Sequence, residues 1–453
     1  MLLSLLHISA IAGLAKYTIL KELNIIDNMI EIKGLDKYFK IKLTQTEHGK
    51  DFYSGKVVDE ETSIVSLTRM RSKLFYGMII TEFSSWHLEL VNETMVFYDS
   101  RDYTASYNST CSQGKQMNMN INTLKTKFQS GNLLNSLKKR QQVSNSVNEC
   151  GMSLYADQSF IKLMGANTQK QMVAGLQLAS QIYEAIFNVK LIAKKVTLLN
   201  GNYGINRESS IEGLLNTAAT ELAGRKYGND DPNQYCLTHI FTNKNFGSTL
   251  GLAFKGDGNG AQVGGICDGA VAGSSQALNV GVSTAYLGIS NEVLTQIPWI
   301  TTITHEIGHN FGSSHDEQTT CASSNPTIMS AVVNAQIKSI PDFSACSKND
   351  IKNNMSTKKC FQTVNRFVGK NTTALRNQIS QTLVNQNADK LTVKDVPIST
   401  KSGGIDTAKI KNMASNSTAN AEKPYALKNA LNSSPSIAFG LLSRVFVILL
   451  LCF

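Results

Sequence analysis

Apolar and polar positions alternate with a period of two along much of the first hundred residues. The runs FKIKLTQT (39–46), SIVSLTRM (63–70), LFYGMIIT (74–81) and WHLELV (86–91) are rich in β-branched or aromatic side chains and are separated by turn-forming residues. They predict a β-rich block over 36–100. A polar stretch follows from Ser106 to Asn148. From Cys150 onward strand and helix patterns alternate. MSLYAD (152–157), VKLIAKKVTLL (189–199), QYCLTHIFT (234–242) and STLGLAF (248–254) read as strands. Met172, Leu176, Ala179, Tyr183 and Ile186 recur at spacings of three and four and predict a helix. SSIEGLLNTAATELAGRK (209–226) predicts another, with Ser and Glu near its start. PWITTITHEIGHNFG (298–312) predicts a third, in which Pro298 suits the first turn and Gly312 the exit. The alternation implies an α/β block with a mixed sheet. After Phe361 the pattern fades, and 362–434 reads as a disordered polar stalk. SIAFGLLSRVFVILLLCF (436–453) is apolar again.

Composition narrows the class. Of the 453 residues, 42% are hydrophobic and 17% charged, enough for two or three domains with sizeable cores. The net charge is +10, and much of it lies in 362–434, where ten Lys or Arg face four Asp or Glu. Basic charge with few stacking aromatics reads as a solvated tail, so no nucleic-acid partner is expected. The eight cysteines form no C-x-x-C pair, which argues against thiolate zinc clusters and for disulfides in an exported protein. MLLSLLHISAIAGLA (1–15) resembles a signal peptide cleaved after Ala15, although a buried N-terminal helix fits the same run. Sequons beginning at Asn92, Asn108, Asn354, Asn371, Asn416 and Asn432 fit a secreted glycoprotein. LKKRQQ (137–142) fits either a processing site for a convertase or a solvated loop. Small residues at Asn432, Ser433 and Ser434 before the apolar tail predict a GPI-anchor signal over 435–453, the rival being a short transmembrane helix.

The chemistry concentrates in HEIGHNFGSSHD (305–316), which holds three of the seven histidines. On a helix, His305 and His309 lie on one face. A left-handed turn at Gly312 would bring His315 back as a third ligand. Three imidazoles with a fourth position open describe a catalytic zinc, and Glu306 beside the first ligand is placed to take a proton from water. At this histidine content the full pattern has a chance expectation on the order of one in 10⁵ per chain.

HExxHxxGxxH followed by Asp316 resembles the adamalysin (reprolysin) branch of the metzincins, the catalytic domain of ADAM proteases. CLTHIFT, TLGLAF, GGIC and FSACS…KKCFQ occur in the order seen in the kuzbanian and TNF-α-converting-enzyme group. The resemblance implies a metzincin fold over 141–361: a mixed five-stranded sheet with helices, a zinc helix and a Met-turn at Met329 in PTIMSA. It implies a prodomain over 16–140, where FYSGKVVDE and MVFYDSRD are similar to prodomain stretches. It further implies the pairs Cys150–Cys236, Cys267–Cys360 and Cys321–Cys346. Leu250, Gly251 and Leu252 match the strand that pairs with substrate, and Ser330 to Val333 the wall of a specificity pocket. Cys111 is left as a candidate cysteine switch, or as an idle thiol. Nothing cysteine-dense follows Cys360, so disintegrin and Cys-rich domains are not expected.

The resulting expectation is a zinc metalloendopeptidase made as a zymogen, secreted or held at the cell surface by a C-terminal anchor. It would act on extracellular or membrane proteins, with ectodomain shedding among the expected activities. Two alternatives stay open. One is a catalytically silent peptide-binding module. The other is a freely secreted matrix-degrading or toxin-like protease.

Overall fold

The computed structural model describes residues 16–82, 84–91, 93–102, 108–110, 146–256, 264–270, 275–288, 292–322, 326–334 and 340–365. The chain divides into two compact units, Met1–Lys370 and Asn371–Phe453; all described residues lie in the first. The signal segment, Cys111, the LKKRQQ run, the stalk beyond Asn365 and the apolar tail fall outside them.

Nine strands build the N-terminal sheet: β1 (Thr18–Leu20), β2 (Ile25–Ile26), β3 (Met29–Gly34), β4 (Lys37–Gln45), β5 (Phe52–Val57), β6 (Glu60–Arg71), β7 (Leu74–Ile80), β8 (Ser85–Val91) and β9 (Thr94–Asp99). They run as an antiparallel meander from β2 to β9, with β1 added beyond β9. Asp27–Asn28 and Leu35–Asp36 all have positive φ, which suits the tight hairpins they close. The sheet curls until Leu35 N donates to Thr18 Oγ1 at 3.1 Å.

Period-two alternation explains what this sheet buries. Val65, Leu67, Phe75, Ile79, Trp86, Leu88 and Phe97 fill the interior of the curl. Their neighbours Ile64, Met78 and Ile80 point the other way and join the core of the second block. Both faces of β6 and β7 are therefore buried, and the two blocks share apolar packing.

The second block is a mixed sheet. A short strand, β10 (Asn108–Thr110), precedes it, followed by β11 (Ser146–Ala156), β12 (Val189–Leu198), β13 (Leu237–Thr242), β14 (Gly251–Ala253) and β15 (Val280–Thr284). The order is β12-β11-β13-β15-β14, with β14 antiparallel to β15. Helices α1 (Gln158–Met164), α2 (Thr168–Phe187), α3 (Ile211–Ala223) and α4 (Gln296–Asn310) pack on it. Cys150, Met152, Leu154 and Ala156 of β11 meet α2 and α4 on one face. Tyr155, Ile240, Val280 and Val282 meet Ile211, Leu214, Leu215 and Ala218 of α3 on the other. The ladder β16 (Tyr286–Leu287) and β17 (Glu292–Val293) precedes α4. Beyond it come β18 (Val332–Asn334), α5 (Ala345–Thr357) and β19 (Gln362–Asn365).

Two features depart from the sequence reading. Among the described residues the sheet has six strands, not five, because β19 pairs with the first half of β11 in residues assigned to the stalk. The Cys267–Cys360 bond, two residues earlier, delivers the chain to that edge. The sequon at Asn354 lies in α5 with its side chain fully buried, so the folded chain offers no acceptor there. Among the described residues no helix is long and apolar enough to cross a membrane.

Candidate metal centre

Helix α4 starts after Thr295 with Pro298 in its first turn and is buried along its whole length. Gly175 of α2 lets the two helices approach, since a side chain there would press on Ile303. The helix ends at Asn310, and Gly312 takes φ +101°. That turn is the one sequence reasoning required, and it carries His315 back over the helix end.

The three ligand candidates converge. The Nε2 atoms of His305 and His309 lie 3.0 Å apart, those of His309 and His315 3.0 Å, and those of His305 and His315 3.2 Å. His305 Nδ1 donates to Ile328 O at 2.7 Å and His309 Nδ1 to Ser313 O at 2.8 Å. Those bonds fix the tautomers and leave the Nε2 lone pairs facing one another. Burial, reinforced by the neighbouring imidazoles, holds His305 well below the ordinary histidine range and lowers His309 to about 3. Burial lowers His315 to about 4. Two of the three converging Nε2 atoms thus carry bare lone pairs, and a buried cluster of neutral imidazoles of this kind suits a cation. Tetrahedral nitrogen ligands at about 2.0–2.1 Å from zinc would stand roughly 3.3 Å apart, close to the spacing here.

Supporting contacts surround the ligands. Met329 is fully buried, and its sulfur fills the space beside Gly308 that a side chain would need. Asp316, next to His315, accepts from Ser347 Oγ at 2.7 Å and from Thr327 and Ser344. Its amide donates to Met329 O at 3.0 Å. It thus ties the third ligand to the turn at Met329 and to the start of α5. Gly308→Ala is expected to cost about 1–3 kcal/mol through overpacking against Met329, read as a lower melting temperature. A melting temperature equal to wild type would remove that packing account.

Of the strand residues, Leu250 is buried just before β14, while Gly251 and Leu252 lie within it. Gly251 touches Glu306: a methyl at 251 would overlap the carboxylate. Among the described residues β14 is the terminal strand of the sheet. The bonds Cys150–Cys236, Cys267–Cys360 and Cys321–Cys346 are formed. Besides the histidines, one other group of potential ligands occurs among the described residues, Cys236, Cys267 and Cys360, and disulfides engage all three sulfurs. Sequence reasoning passed over Gly308 and Asn310. The first was legible as a small residue between two ligands; the second carried no signal.

Residues 146–350 match the family described as Metallo-peptidase family M12, of the reprolysin type. Disintegrin and metalloproteinase domain-containing protein 10 of Homo sapiens is 26% identical over 200 residues, covering 41% of this chain and 26% of that protein. Its homolog from Caenorhabditis elegans is 31% identical over 129 residues, covering 26% of this chain and 14% of that one. The chain thus spans about a quarter or less of the length of these relatives. A solved structure titled "Structure of a chaperone-substrate complex" aligns at TM-score 0.31 and 13% identity, over 46% of this chain and 33% of its own. The family match and the relatives support a metallopeptidase domain of the ADAM/reprolysin kind.

Proposed function

We propose that the chain is a zinc-dependent metalloendopeptidase made in a latent form. The observation that carries this reading is the convergence of three buried, neutral imidazoles beside a glutamate laid along a terminal β-strand. Zinc bound there would polarise a peptide carbonyl and make water more acidic. Glu306 takes the proton of the attacking water and passes it to the leaving amine. Leu250, Gly251 and Leu252 hold an extended substrate by main-chain hydrogen bonds along β14. Met329 and Asp316 keep the ligand loop in place beneath.

Two contacts support latency. β10 pairs antiparallel with β18, so Thr110, just before Cys111, lies opposite Val332 in the segment that follows Met329. The N-terminal sheet also shares the core of the peptidase block through Phe52, Ile64, Met78 and Ile80. On this reading 16–140 acts as a prodomain, a convertase cleaves near Arg140, and Cys111 is the candidate switch. Three disulfides support folding in an oxidising compartment, and we place the enzyme in the secretory pathway with extracellular or membrane-bound protein substrates.

A peptide-library cleavage profile of the chain matured after Arg140, with and without a zinc chelator, tests the reading. Cleavage that stops on chelation and returns with zinc is the expected result. A zinc-loaded chain that binds peptides yet cleaves none would leave the silent binding module instead.

A further inference from the structure

His305 and His309 form one stripe of α4, and Glu306 and Asn310, also four residues apart, form the next. The first stripe faces the metal position. The second faces β14: Glu306 lies against Gly251 near the start of the strand. Asn310 lies at its end, fully buried, where Nδ2 donates to Phe254 O at 2.8 Å and to Val280 O at 3.0 Å. Phe254 directly follows β14, and Val280 opens β15. The Phe254 amide also donates to Val280 O, at 3.1 Å. One amide side chain therefore grips the ends of both strands. The main chain adds two links from the same helix end, His309 O from Gly256 N and Asn310 O from Ile266 N, each 2.9 Å. Among the described residues β14 pairs at three positions, all with β15, so its distance from the helix depends on these attachments.

We propose that Asn310 is a positioning residue that sets the separation between the metal helix and the strand that pairs with substrate. The proposal rests on the peptidase reading above. A side chain at 310 without the two N–H groups leaves the Phe254 carbonyl buried without its donor, and the strand end moves to regain one. The scissile bond of an extended peptide then loses its register with Glu306 and the ligands. A short peptide, which makes few bonds to β14, is little affected.

The test compares full-length wild type with Asn310→Asp, which keeps the shape and loses the donors, and Asn310→Ser, which is smaller and uncharged. Each is matured in the expressing cell and assayed on a short and an extended peptide that share one scissile bond. The KM for the extended peptide should rise about tenfold, the size of one or two lost hydrogen bonds, with little change for the short one and an unchanged zinc content. Amide hydrogen exchange at Gly251 to Phe254 should accelerate in both variants. Equal losses on both peptides, or unchanged exchange in that strand, would overturn the proposal. If wild type cleaves neither peptide, the peptidase reading fails, while the exchange rates still decide whether Asn310 holds the strand.

Discussion

Replacing Glu306 with alanine is expected to lower peptide hydrolysis by about 10²–10⁴-fold or more, with zinc still bound. Glu306 is next to His305 on α4, 1% exposed, and its carboxylate lies against Gly251 of the terminal strand. In the mechanism proposed above, a base at that point would act on a water between the metal and a substrate carbonyl lying along β14. Alanine removes the base and leaves the three Nε2 atoms untouched, together with the bonds from His305 Nδ1 to Ile328 O and from His309 Nδ1 to Ser313 O. Zinc content by atomic emission and turnover on one peptide should be read together. Near-normal turnover with full zinc occupancy would eliminate Glu306 as the base. Loss of zinc along with activity would make it part of the metal's support.

A second large effect should appear on acidification. His87 of β8 faces α4 across the shared boundary of the two blocks, where its Nδ1 donates to Gln296 Oε1 at 2.8 Å. Its other nitrogen has no partner among the described residues. The ring stacks on Tyr98 at 4.9 Å, and the Asp99 carboxylate lies close enough to favour protonation. Burial outweighs both that charge and the Gln296 bond and lowers His87 to about 4. Because the folded value is depressed, the unfolded chain binds its proton first, starting near pH 6.5. The stability contributed by neutral His87 is whole above that pH and is lost as pH falls towards 4. The loss amounts to about 3 kcal/mol at most. His48 adds to it in the same direction: its Nε2 accepts from Ala193 N at 3.2 Å, and burial, with Lys190 and Lys194 nearby and Glu47 opposing them, lowers its pKa. Denaturant unfolding at pH 7 and pH 4.5 should therefore show a steeper loss for wild type than for His87→Gln. Parallel losses would show that His87 titrates alike in both states. The contacts involved join the N-terminal sheet to the peptidase block, so acidification should loosen the packing between the two.

Much of the site was legible without a structure. The i, i+4 spacing of His305 and His309 fixes them to one helical face, and Gly312 supplies a conformation that few other residues adopt without strain. Local chemistry sufficed there because the residues concerned are neighbours in sequence. Strands β4, β6, β7 and β8 were legible for the same reason: their period of two is a local property. β2 and β3 were not, because Asp27–Asn28 and Leu35–Asp36 turn their hairpins without the Asn-Gly or Asp-Gly signal. α5 was missed because only Ser347, Ile351 and Asn354 are buried in it, too few for a helical stripe.

The sequence by itself determined the histidine triad, the adjacent acid and the alternation of strands and helices, since each is written in spacings of a few residues. Only the tertiary structure decided how far apart these pieces stand. α2 is buried on nearly every side because a sheet some hundred positions earlier covers the face that a lone domain would leave to water: Gln177 Nε2 reaches Tyr53 O at 2.7 Å and Ser66 Oγ at 2.8 Å. Asn310 grips carbonyls 56 and 30 residues away, and Met329 fills the gap at Gly308. Hydrogen bonds and packing of that kind depend on angles and sub-ångström separations between distant segments. No local pattern of apolar and polar residues encodes them.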